Sequence, residues 1–112
     1  MNSADVKTLV LNYFRSWQIR DWELMERCLA PDFRFNSGTH NFNGAAAFLD
    51  MCRQGPDWES VDLLESMFTE TYGVILYEGV SLPNRAKVRV AEIIRCGDGR
   101  VLSAEVVFTV LP

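Results

Sequence analysis

Positive charge is in short supply: 11 Lys and Arg stand against 15 Asp and Glu, giving a net charge of -4 and a pI near 4.9. Such a surface offers no electrostatic footprint for a phosphate backbone or an anionic membrane, so neither nucleic acid nor membrane is expected as a partner. Cysteine is scarce too. Cys28, Cys52 and Cys96 are odd in number, widely spaced and set among apolar residues. That pattern suits neither a disulfide framework nor a zinc site and reads as buried free thiols. Histidine occurs once, as His40. No apolar run approaches the roughly 20 residues of a membrane span. Repeats, low-complexity tracts and nucleotide, phosphate or metal motifs are all missing, which makes a cofactor-free, metal-free site the expectation. The opening residues MNSADVKTLVL carry Asp5 ahead of any basic residue and too short an apolar run for a signal peptide. A cytoplasmic location is therefore expected.

What the chain does have is apolar substance, 48% hydrophobic and 12% aromatic residues, too much for disorder. Its 112 residues suit one domain, 1–112, long enough to bury about two thirds of its unfolded surface. Val6, Leu9, Val10, Tyr13, Phe14 and Trp17 recur at helical spacing and predict an amphipathic helix over 4–18, with Ser3 as its N-cap. Asp21 can cap a second helix over 21–29, which Pro31 ends by pushing Ala30 out of the α region. Phe33 and Phe35 then alternate with polar residues in a first strand, and SGTHNFN (37–43) is turn chemistry. A third helix follows from Asn43 or Gly44 and closes at Gly55-Pro56, with Phe48, Leu49 and Cys52 as its apolar stripe.

From Ser60 the period changes to two, predicting strands at about 60–69, 72–81, 86–96 and 100–110 joined at Thr71-Tyr72-Gly73, Pro83-Asn84 and Gly97-Asp98-Gly99. Helices first and antiparallel strands after argue for an α+β fold with helices on one face of a curved sheet. In the penultimate strand Val88, Val90, Ile94 and Cys96 share a face with Glu92, a carboxylate among apolar neighbours. In the last, Leu102, Ala104, Val106, Phe108 and Val110 are expected to face the core. The strands at 60–69 and 72–81 carry apolar groups on both faces (Leu63, Met67, Val74, Ile75, Leu76 and Tyr77), so their direction is not set by pattern.

The order of these pieces, a helix ending YFRSW, an acidic corner RDWE, a strand LAPDFRF, a helix NGAAAFL and a meander with a DGR hairpin, resembles the nuclear transport factor 2-like superfamily and its SnoaL-like, ketosteroid isomerase-like branch across essentially the whole chain. The resemblance implies a cone-shaped half barrel, cystatin-like in outline, with helices closing one side around an apolar pocket, commonly in a homodimer. Members include isomerases, epoxide hydrolases, dehydratases, polyketide cyclases and proteins that only bind or assemble, so fold does not settle function. Carried over residue by residue, Tyr13 matches the helix tyrosine that donates to an oxyanion. Glu92 matches the second donor if the Gly97-Asp98-Gly99 turn is one residue shorter. The general base does not match, because Ser37 after Asn36 stands where an aspartate is expected, and serine alone takes no proton from carbon. His40 is the best remaining base. Phe14, Trp17, Phe33, Phe35, Ser37 and Phe48 are the candidate pocket residues. The expected function is a cofactor-independent acid–base enzyme of isomerase or lyase type on a small apolar carbonyl or cyclic compound; the alternatives are a small-molecule binding protein and a dimerisation domain.

Overall fold

A computed structural model describes residues 1–112. Three helices, α1 (Ser3–Gln18), α2 (Trp22–Cys28) and α3 (Ala45–Gln54), accompany six strands: β1 (Leu29–Asn36), β2 (Asn41–Asn43), β3 (Trp58–Phe68), β4 (Tyr72–Ser81), β5 (Lys87–Gly97) and β6 (Arg100–Val110). The strands form one open, curved sheet in the order β2-β1-β6-β5-β4-β3. Every pairing is antiparallel except β1 with β6, which is parallel, so the sheet is mixed. No helix is long and apolar enough to cross a membrane.

The helix starts follow from their caps. Asn2 rather than Ser3 caps α1: its side chain accepts from the Asp5 N–H at 2.9 Å, and the Asp5 carboxylate accepts from the Asn2 N–H at 3.1 Å. This reciprocal box satisfies two donors that the first turn would leave free. Asp21 caps α2 as expected, accepting from Leu24 N–H at 3.1 Å, and Arg20, at φ 57°, turns the corner between the two helices.

Val6, Val10, Tyr13 and Phe14 of α1 pack into one cluster with Phe33 of β1, Phe48 and Leu49 of α3, Ile75 and Tyr77 of β4, and Val90 and Ile94 of β5. The inward face of β5 is the one its alternation implies, with Val90, Glu92, Ile94 and Cys96 buried. In β6 the expectation fails at one residue. A register shift opposite Arg95 and Cys96 pairs Cys96 with Val101 and Arg95 with Ser103, leaving Leu102 as the extra residue of a bulge. Val101 therefore takes the core position, fully buried, and Leu102 is 43% exposed. Phe108 and Val110 keep the inward register but lie largely exposed toward the end of the strand. Residues 41–43, read from sequence as turn, form the short edge strand β2 against Arg34–Asn36.

Candidate functional site

Between the helices and the inward face of the sheet lies a cavity of about 380 Å³. Its walls are chiefly aromatic, and its polar floor is made by three side chains from three elements. Tyr13 reaches it because it continues the buried stripe of α1, three residues after Val10. Glu92 reaches it from the middle of β5, where alternation fixes its direction. Tyr77 comes from β4, one strand over and diagonal to Glu92, since Ile75 is the residue directly opposite.

The Tyr13 hydroxyl donates to Glu92 Oε2 at 2.9 Å and the Tyr77 hydroxyl donates to Glu92 Oε1 at 3.1 Å. Glu92 is 2% exposed and forms no salt bridge, and no lysine or arginine lines the cavity. Burial penalises the charged carboxylate and pushes its pKa up to about 7, although the two phenol hydrogen bonds pull the other way. Tyr13 and Tyr77 are pushed well above the ordinary tyrosine value, first by burial and then by the charge of Glu92, so both remain protonated donors near neutrality. Cys52, on the wall contributed by α3, is raised to about 12 by the same two causes in the same order. It is free and half-buried, while the other two free thiols, Cys28 and Cys96, are buried.

The walls follow from side-chain direction. Phe35 and Phe48 pack with ring centroids 4.8 Å apart, and Trp17 lies 5.6 Å from Tyr77 and 5.3 Å from Trp58. Trp58 can lie across β4 only because residue 79 is glycine, where an added Cβ would come within 2.6 Å of the indole. Trp22 completes the set, so all three tryptophans of the chain line the cavity.

At the rim, Gly38 at φ 82° lets the 37–40 turn close, with Asn36 Oδ1 accepting from its N–H at 2.8 Å. The exposed His40 stacks on Phe42, and its Nδ1 lies 3.1 Å from Thr39 Oγ1, which in turn lies 3.3 Å from Ser37 Oγ. No hydrogen bond joins His40 to Tyr13 or Glu92. Of the residues singled out from sequence, Tyr13, Glu92, Trp17, Phe35, Ser37, His40 and Phe48 line the cavity. Phe14 and Phe33 do not: both are buried behind it, Phe14 against Tyr77 at 4.9 Å and Phe33 against Phe48 at 4.9 Å. Sequence reasoning missed Tyr77, Trp22 and Trp58. For Tyr77 the available signal was parity, because it shares a face of its strand with Gly73 and Gly79, where missing side chains let other elements approach. No three His, Cys, Asp or Glu side chains converge as a metal-ligating set.

No protein-family model and no curated protein matches the chain by sequence. Solved structures do match it in shape. A candidate ketosteroid isomerase from Kribbella flavida DSM 17836 superposes with a TM-score of 0.86 at 16% identity, covering 96% of this chain and 79% of that one. An LEH-like epoxide hydrolase of M. tuberculosis gives 0.83 at 16% identity, with coverage of 96% and 84%. An NTF2-like protein of unknown function from Cytophaga hutchinsonii gives 0.82 at 13% identity, covering 93% and 89%. The chain thus has the NTF2-like fold, an α+β half barrel.

Proposed function

We propose that this protein holds a small apolar, cyclic compound in the cavity and exchanges a proton with it through Glu92, without a cofactor, as an acid–base enzyme of the isomerase or lyase type. The observation that supports this is the Glu92 carboxyl itself, buried between two phenols on the floor of an aromatic cavity and carrying a pKa of about 7. A carboxyl so placed is ionised often enough to accept a proton and neutral often enough to return one. When it takes a proton it has less need of two donors. A phenol O–H then becomes available to an oxygen gaining negative charge on the compound, the electrostatic help such a reaction needs. A candidate ketosteroid isomerase and an LEH-like epoxide hydrolase share this shape, which supports an acid–base reading.

The test is solvent-deuterium wash-in at the carbon next to the carbonyl of 2-tetralone, followed by NMR. Catalysed exchange is expected, falling by about 100-fold or more in Glu92→Gln. Tetralone that binds, read by tryptophan fluorescence, yet exchanges no faster than in buffer would leave a binding protein. That second reading is favoured by one observation: His40, the other candidate base, is exposed and turned toward Thr39. A homodimer formed through the outer face of the sheet belongs to the same proposal.

A further inference from the structure

With Glu92 ionised, the polar floor of the cavity is all acceptor. A carboxylate offers about four acceptor positions, and the two phenols occupy one on each oxygen of Glu92. Both phenol hydrogens are thereby spent, leaving lone pairs on Glu92, Tyr13 and Tyr77 facing the interior. Nothing nearby offsets the charge. The titratable groups facing Glu92 are Tyr13 on α1, Cys52 on α3 and Tyr77 on β4, all neutral near pH 7 and all made harder to ionise by it. β6 contributes Val106 directly opposite. A buried carboxylate with hydrogen bonds but no counter-charge is an incomplete ion pair, and what completes it must be cationic, apolar elsewhere and able to donate. The walls suit the same guest, because the faces of Trp17, Trp58 and Tyr77 attract a cation that has left water.

We infer that the compound the cavity prefers is a lipophilic amine in its protonated form, its nitrogen donating to Glu92 and its hydrocarbon body lying against the aromatic walls. This rests on the reading of the cavity as a small-molecule site and names the class of molecule. It also fixes the direction of the pH dependence. A simple alkylamine remains protonated up to about pH 10, so between pH 5 and 8 its own charge is constant and the ion pair forms in proportion to the ionised fraction of Glu92. Affinity for an amine therefore rises with pH and levels off above about 7, whereas a carbonyl ligand that needs the neutral acid as donor shows the reverse.

The experiment compares three molecules on one carbon skeleton, 2-aminotetralin, 2-tetralone and tetralin-2-carboxylate, each titrated into the whole protein at pH 5 to 8 and read by tryptophan fluorescence. The amine is expected to bind about tenfold or more tighter than the ketone at pH 8, with the carboxylate weakest. Its affinity should fall by about tenfold per pH unit below 7. Glu92→Gln should abolish the preference for amine while leaving the ketone bound. Calorimetry of the wild-type protein at pH 6 in two buffers of different ionisation heat needs no variant to fold, and should show close to one proton released per amine bound. A ketone that binds as tightly as the amine at pH 8, or an amine that binds without releasing protons, would overturn the amine assignment and leave the small-molecule reading standing. Failure of all three molecules to bind would remove both.

Discussion

Glu92 should govern how the protein's stability changes with pH, and in the direction opposite to that of an ordinary salt-bridged carboxylate. Its folded pKa of about 7 lies above the ordinary 4.5, so between those values the folded state holds a proton that the unfolded chain has released. Stability from this group is therefore greatest below 4.5, declines as pH rises toward 7, and stays reduced above. The shift corresponds to a loss of about 3 kcal/mol between pH 4 and pH 8. Urea unfolding of the wild type and Glu92→Gln across that range should show the variant gaining on the wild type by about this amount. A difference independent of pH would mean that the carboxyl is not held in a dry site. At this scale the sequence told half the story. Tyr13 and Glu92 could be read because each sits on a clean period, one continuing a helical stripe and the other interrupting the apolar face of an alternating strand. Tyr77 was missed because Val74, Ile75, Leu76 and Tyr77 run apolar without a gap, so hydrophobicity alone does not say which parity faces inward and only Gly73 and Gly79 mark it.

Among the elements, β4 sets the size of the cavity through what it omits. With glycine at 79, Trp58 of the neighbouring strand lies against bare backbone; a methyl group 2.6 Å from the indole leaves it no room there. Gly79→Ala should therefore displace Trp58, cost about 1–3 kcal/mol of stability, shift the tryptophan emission and weaken every cavity ligand alike, whatever its charge. An unchanged emission spectrum would show that the strand gives way instead. Most elements were legible beforehand because periodicity marks helices and strands wherever one face is buried. The exceptions have local causes. β2 is three residues of turn-like composition that become strand only by pairing with β1. The inward parity of β6 switches across the bulge at Leu102, so Val101 takes the core position while Ala104, Val106 and Phe108 keep the parity that alternation predicts. The cap of α1 fell one residue early because Asn2 and Asp5 form a reciprocal pair that Ser3 cannot.

For the whole molecule, the outer face of the sheet is notable for the apolar rows it exposes. Cross-strand neighbours there run Val107, Ala91, Leu76 in one row and Ile93, Val74, Met67 in the next, with Val107 74% exposed and Met67 58% exposed. Charged pairs rim the rows, Arg95 with Glu105 at 2.8 Å and Arg89 with Glu78, both within the chain. An apolar centre with a polar rim suits a second copy. Sedimentation at micromolar concentration should show a dimer that Val107→Glu dissociates; a wild type sedimenting only at 12.8 kDa would refute it. The parallel junction of β1 with β6 carries a different consequence, one of timing. β6 lies between β1 and β5, so the two halves of the sheet have no edge in common until the last strand arrives. During synthesis, helices and hairpins form early, yet the cavity lacks the wall that Val106 and Phe108 supply while β6 is still in the ribosome. The space around Glu92 is thus closed only once β6 has paired with both β1 and β5, later than the hairpin that carries Glu92 and Tyr77.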